Sequence, residues 1–160
     1  MTETLMQVDS VSDIELAADE LAVAFASMDG DMIDQHFGSA RAFWLYIISA
    51  SRADLVSCIR FGQEKMDGNE DKLKPKLAWL VGADIVYCGS VGGSASRQLI
   101  ALGVNPLKVT GGPDLEELIE DLQAQLTGTP EPWLANILRR KGADTSASRF
   151  DDMEDEGWDE

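Results

Sequence analysis

The hydrophobic periodicity changes once along the chain, and this change limits the possible folds more than any other feature. Leu21 to Ala26 form a short apolar run, which is typical of a central strand buried on both faces. Two further strand-like stretches, Arg41 to Ile48 and Asp54 to Phe61, follow after connections with turn chemistry. Three such consecutive strands predict an antiparallel meander.

After residue 61 the apolar residues recur at helical spacing, and helices then alternate with strands. The alternation predicts two strands, from Asp84 to Cys88 and from Val104 to Val109. It also predicts three helices: one between Asp67 and Val81, one with Ser94 as its N-cap that ends near Leu102, and one after Gly111-Gly112-Pro113. Pro106 favours a sheet edge for the last strand. The fold class is therefore α/β, with a mixed five-stranded sheet in which a β-β-β meander is followed by αβαβα.

The chain is the size of one globular domain with extensions at both ends. Residues 1–20 are predicted to be an acidic, partly disordered extension, and residues 21–128 the α/β domain. Residues 129–160 should form a short helix followed by an acidic tail. An apolar patch on that helix is predicted to dock on the same domain; it consists of Trp133, Leu134, Ile137 and Leu138.

The formal net charge of -16 lies mostly at the two ends of the chain. Residues 1–20 contain six acids and residues 150–160 contain seven, and neither segment contains a base, so the body between them is nearly balanced. Acidic ends repel phosphate, and no basic stripe alternates with aromatic residues, so nucleic acid is not an expected partner. A membrane partner is not expected either, because neither a leader pattern nor a spanning apolar segment occurs. A cytoplasmic location is predicted.

Three loops should meet beyond the carboxyl ends of the parallel strands, where α/β proteins commonly bind ligands. The first follows the first strand and contains Asp34, Gln35 and the single histidine, His36. The second begins after the fourth strand, and the third is Thr110-Gly111-Gly112. The candidate binding residues in and beside the first two loops are His36, Phe37, Gly38, Ser39, Arg41, Cys88, Gly89, Ser90, Gly92 and Gly93.

Each chemical group in this set has an ordinary structural role as its alternative. Imidazole can bind iron or only hydrogen-bond within a turn, and Cys88 can be a soft ligand or a small core residue. The loop from Gly89 to Gly93 leads into a helix whose free amides favour an anion, but it lacks the lysine of a phosphate-binding loop. Arg41 could add a cation. Two cysteines cannot supply the four ligands of an ordinary cubane cluster, which leaves reversible capture of a finished cluster.

The sequence resembles the NifX-type family of nitrogenase cofactor biosynthesis proteins, which is related to NafY and to the C-terminal part of NifB. The resemblance covers nearly the whole chain. It includes Asp34-Gln35-His36-Phe37-Gly38-Ser39, Asp67-Gly68-Asn69-Glu70-Asp71-Lys72-Leu73, Val86-Tyr87-Cys88, Arg97-Gln98-Leu99 and the terminal Glu156-Gly157-Trp158-Asp159-Glu160.

The resemblance implies a ribonuclease-H-like three-layer fold and a carrier function without an enzymatic reaction. Such a protein would bind the NifB cofactor, the iron-sulfur precursor of the iron-molybdenum cofactor, and deliver it to the NifEN scaffold or hold it in reserve. NifEN and NifB are the implied partners. His36, in the family's His-Phe-Gly motif, is the implied principal ligand, with Cys88 as a second metal ligand.

Two other functions remain open from the residues alone. His36 and Cys88 could form the base and nucleophile of a small enzyme, which would lose turnover on Cys88→Ala. Alternatively, the chain could be an adaptor that docks on the assembly machinery without binding a cluster, and it would then retain partner binding after His36→Ala.

Overall fold

A computed structural model of the protein describes residues 5, 7–17, 19–61 and 73–149. Within them, five strands form one mixed sheet, as the meander and the later alternation predict, and the strand order is β3-β2-β1-β4-β5. The strands are β1 (Leu21–Ala26), β2 (Ala42–Ile48), β3 (Ala53–Arg60), β4 (Ile85–Cys88) and β5 (Asn105–Lys108). The helices are α1 (Leu73–Leu80), α2 (Gly93–Ala101), α3 (Leu115–Thr127) and α4 (Pro132–Arg149).

β1 lies at the centre of the sheet, and all six of its residues are buried, as the apolar run predicts. It pairs antiparallel with β2 and parallel with β4, and β4 in turn pairs parallel with β5. β5 is an edge strand, so Pro106 costs the sheet little. The carboxyl ends of β1, β4 and β5 therefore lie at the same edge of the sheet.

Alternate residues of the strands pack into two separate cores, one on each face of the sheet. Ala22, Ala24 and Ala26 of β1 face the core formed with α1 and α2. Leu21, Val23 and Phe25 face the core formed with α3 and α4. Alanine on one face leaves room for aromatic neighbours, and Phe43 stacks there on Trp79 with ring centroids 6.4 Å apart. The result is three layers, with helices on both sides of the sheet.

The ends of the helices follow local sequence signals in most places. Gly82 follows α1 with φ +99°, and a Cβ there would lie 2.6 Å from the Ser12 backbone, so the position requires glycine. Asp114 and Glu117 form a capping box at the start of α3. The prediction of Ser94 as the N-cap of α2 is wrong. Gly92 is the N-cap, and the helix begins at Gly93, two residues earlier than a cap at Ser94 requires.

α4 is longer than the short helix predicted, since it spans 18 residues from Pro132 to Arg149. Its apolar patch docks on the domain as predicted: Leu134 and Ile137 are buried in the core under α3. Lys141 adds a partly buried ion pair to Asp84, with Nζ 3.3 Å from Oδ2.

The described part of the N-terminal extension packs against the domain. Val11, in a single 3-10 turn, is buried in the core beside α1 and α2. The Ser12 amide donates to the Val81 carbonyl (2.7 Å), and the Trp79 indole N–H donates to the Val8 carbonyl (3.2 Å). Residues 7–17 thus cover part of the core. Residues 1–4, 6 and 18 of the extension predicted to be partly disordered, and the acidic tail at 150–160, lie outside the described residues.

Within the described ranges, no helix is both long and apolar enough to cross a bilayer.

Candidate functional site

Three loops meet at the carboxyl ends of the parallel strands, as the order of the elements predicts. We call them the first loop (residues 27–41), the second loop (residues 89–92) and the third loop (residues 109–114). They connect β1 to β2, β4 to α2, and β5 to α3.

The first and second loops are joined through their backbones. The Gly89 amide donates to the Gln35 carbonyl (2.8 Å), and the Phe37 amide donates to the Ser90 carbonyl (2.9 Å). A Cβ at Gly89 would lie 3.3 Å from the Gln35 carbonyl oxygen, which is closer than ordinary contact. The two loops therefore run edge to edge, with glycine at the point of closest approach.

The first and third loops are also joined through their backbones, by residues of the first loop that precede Gln35. The Ile33 amide donates to the Pro113 carbonyl (3.0 Å), and the Leu115 amide donates to the Asp31 carbonyl (2.9 Å). The first loop is thus held on both sides by loops far away in sequence, and its conformation depends on the whole sheet edge.

His36 is exposed at this edge, and its ring is held by one hydrogen bond. Its Nδ1 atom lies 2.7 Å from the Ser90 hydroxyl. Among the described residues, none hydrogen-bonds its Nε2 atom. The structure therefore brings together His36, Gly89 and Ser90, three of the predicted residues, with a free imidazole nitrogen among them.

The residues after His36 anchor the first loop. Phe37 is fully buried and stacks on Phe43 (centroids 5.6 Å apart), so it holds the loop in the core. Ser39 is exposed, and a Cβ at Gly38 would touch nothing within 4 Å. The Arg41 amide donates to the Gln35 side-chain oxygen (2.9 Å), which closes the turn.

The second loop ends at the N-terminus of α2, where Gly92 provides no side-chain cap. The first amides of such a helix carry a partial positive charge that favours anions. An Arg97 Nη1 atom would lie 3.6 Å from a Cβ at Gly93, so a guanidinium lies beside this terminus. Arg97 was not among the residues predicted for the site. Its spacing of four from Gly93 is nevertheless a usable signal, since residues four apart in a helix lie on the same face.

Cys88 does not reach the exposed edge. It is fully buried among the residues facing α1 and α2, and burial raises the pKa of its thiol to about 12. Metal ligation and nucleophilic attack both require a thiolate, which this environment disfavours. The other thiol, Cys58, lies in the edge strand β3, and burial raises its pKa as well. Cys88 is therefore not among the groups that the three loops expose.

The described residues contain no group of three or more His, Cys, Asp or Glu side chains that could hold a metal ion. What the loops offer is one imidazole nitrogen, a polar glycine loop, an uncapped helix terminus and a guanidinium. This arrangement can attach a preformed anionic group at few points, and it lacks the ligands for a permanently bound metal.

Comparison with known proteins identifies the family. The sequence profile described as dinitrogenase iron-molybdenum cofactor matches residues 19–125, which contain the sheet and all three loops. The chain belongs to this family. It is of the NifX type, because it is 48% identical to protein NifX of Azotobacter vinelandii over 99% of this chain and 98% of that protein.

Two other relatives show how far the similarity extends. Protein NifX of Rhodobacter capsulatus is 34% identical over 74% of this chain and 77% of its own length. The FeMo cofactor biosynthesis protein NifB of Sinorhizobium fredii is 30% identical over 68% of this chain, but the match covers 22% of that protein. The family is thus one of nitrogenase cofactor biosynthesis, and its domain also occurs within a larger protein.

Among solved structures, the crystal structure of PH0822 resembles the chain with a TM-score of 0.50 and 20% sequence identity. The match covers 65% of this chain and 89% of that one. This similarity supports the α/β fold alone.

Proposed function

We propose that the chain binds the NifB cofactor, the iron-sulfur precursor of the iron-molybdenum cofactor, and carries it. It would deliver the precursor to the NifEN scaffold or hold it in reserve. Membership in a family of nitrogenase cofactor biosynthesis supports a role in assembling this cofactor. The geometry of the three loops supports binding of an anionic cluster through few contacts.

The observation that carries the proposal is the exposed His36 residue, with Nδ1 on Ser90 and no hydrogen bond from a described residue to Nε2. Imidazole is a suitable ligand for iron. A single protein ligand holds a large cluster weakly enough for release, which a carrier requires.

The surroundings of His36 suit an anionic cargo. Sulfide-rich iron clusters carry negative charge. The uncapped start of α2, three residues beyond Ser90, offers a positive environment together with the Arg97 guanidinium beside Gly93. Gly92 and Gly93 are exposed, so no side chain there obstructs a bulky group.

We propose further that the chain has no reaction of its own. The Cys-His enzyme considered above requires a thiolate beside the imidazole, but the Cys88 thiol is buried with a raised pKa, and Nδ1 of His36 is already bonded to Ser90. Docking on NifEN and exchange with NifB belong to the same proposed carrier function. The order β3-β2-β1-β4-β5 supports assignment to the ribonuclease-H-like folds.

The test is anaerobic incubation with purified NifB cofactor, followed by gel filtration, visible absorption and an iron count on the protein. We expect stoichiometric iron and colour on the wild type and a large loss for His36→Ala. Asn136→Ala is the matched control, because Asn136 is an exposed polar residue on α4, away from the three loops.

Two results would contradict the proposal. A wild-type protein that stays colourless and iron-free is not a carrier of this cluster, and the adaptor function would then be favoured if NifEN binding persists. Equal loading of wild type and His36→Ala would exclude His36 as the ligand.

A further inference from the structure

We infer that Ser90 is a positioning residue for His36: it fixes the imidazole so that Nε2 is the nitrogen offered to the cluster. This inference rests on the proposed function for its meaning. It changes the role predicted for Ser90 from a direct contact with the cargo to a contact with the ligand side chain.

The geometry leaves one nitrogen for the cargo. The Ser90 hydroxyl lies 2.7 Å from Nδ1, across 54 residues of sequence. A metal at Nε2 requires that this nitrogen carry no proton, so in the neutral ring the proton must lie on Nδ1 and be donated to the Ser90 oxygen. The hydroxyl can rotate to accept it.

Ser90 is itself held in place by the backbone. Its carbonyl accepts from the Phe37 amide, and the neighbouring Gly89 amide donates to Gln35. Phe37 is in turn fixed in the core. The backbone on either side of the contact is therefore fixed, which places the Ser90 hydroxyl within reach of the His36 ring.

A neutral hydroxyl is a weaker partner than the carboxylates that often support metal-binding histidines. It orients the ring without adding a charge beside an anionic cargo, and it raises the donor strength of Nε2 less than a carboxylate would. Reversible attachment requires an oriented ring whose Nε2 donor strength is not strongly raised.

The first measurement needs no cargo. His36 is the single histidine of the chain, so its ring gives unambiguous NMR signals. We expect one ring orientation and a tautomer ratio distinct from that of a solvated histidine in the wild type. Both should be lost in Ser90→Ala and restored in Ser90→Thr, which keeps a hydroxyl. Ser94→Ala is the control, because its hydroxyl contacts Gln98 within α2.

The second measurement is the affinity for purified NifB cofactor. Loss of a partner that orients a ligand typically weakens binding between tenfold and a hundredfold, so Ser90→Ala should bind about tenfold more weakly, and Ser90→Thr should approach wild type. Unchanged ring behaviour and unchanged affinity in Ser90→Ala would overturn the inference while leaving the carrier function intact. If the wild type takes up no cofactor, the carrier function is wrong, and the ring measurement alone decides the role of Ser90.

Discussion

Single residues at the loop edge set the geometry of His36, and Gly89 is one of them. A Cβ at Gly89 would lie 3.3 Å from the Gln35 carbonyl oxygen and 3.5 Å from Nδ1 of His36. Any side chain there pushes apart the two loops that present the imidazole. The absence of a side chain at this position therefore serves the site as well as the fold.

We expect Gly89→Ala to lower the free energy of unfolding by about 1 kcal/mol, because the loops must separate by a few tenths of an ångström. Gly38→Ala is the matched control, since a Cβ at Gly38 meets nothing within 4 Å, and it should change stability by less than about 0.5 kcal/mol. Urea denaturation measures both, and faster amide exchange at Phe37 should accompany the first. Equal stability of the two variants would mean that the loops separate without cost.

Cys88 shows what a residue type alone cannot predict. The run Ile85–Cys88 is buried on both faces, so its apolar pattern contains no information about which face the thiol occupies. The thiol faces the α1 and α2 core, and burial raises its pKa. The sequence supported a ligand and a core residue as alternatives, and burial favours the core residue.

Among the elements, α4 is attached to the sheet by apolar packing and by the ion pair between Lys141 and Asp84. Lys141 contacts the Asp84 carboxylate, which also accepts from the Ala22 amide (2.9 Å). Burial raises the pKa of Asp84, and the Lys141 ammonium opposes this rise. The folded state thus holds the Asp84 proton more tightly than the unfolded state does, so the contribution of Asp84 to stability is largest in acid and falls as pH rises through its folded pKa.

We expect Lys141→Met to lower the free energy of unfolding at neutral pH by about 1–3 kcal/mol, because it leaves a largely buried carboxylate without its cation. The loss should shrink in acidic buffer, as the pH falls through the raised pKa of Asp84 and its carboxylate is protonated. Urea denaturation at both pH values measures this, with Arg139→Met, an exposed cation of the same helix, as the control. A loss that is independent of pH would show that Lys141 acts through packing alone.

At the scale of the whole molecule, a segment of the N-terminal extension also packs against the sheet and helices. Val11 is 2% exposed, and the segment around it bonds to Val81 and Trp79, so part of the acidic extension closes the core beside α1 and α2. Acidic composition pointed to a solvated tail, but three or four apolar side chains among the acids are enough to anchor a short segment.

We expect Val11→Ala to lower the free energy of unfolding by about 1–2 kcal/mol through lost burial and a small cavity. Glu15→Ala, an exposed position in the same segment, should stay within about 0.5 kcal/mol of wild type. Thermal denaturation of both variants is the measurement. Two indistinguishable melting curves would mean that residues 7–17 do not contribute to stability.

Much of the fold could be predicted because periodicity and apolar runs are local properties of a chain. They located all five strands within one or two residues, the central position of β1 and the edge position of β5. They also indicated which loops share an edge, since parallel strands end together. The resemblance to the NifX type supplied the role expected for His36.

Contacts between distant segments could not be predicted from the sequence, because no local pattern specifies them. The bond between Ser90 and His36, the face occupied by Cys88 and the docking of Val11 each depend on how strands align and helices cover them. Burial and distance are properties of the assembled chain. The residues of the loops were therefore foreseeable from the sequence, whereas the orientation of the imidazole and the exclusion of the thiol follow from packing.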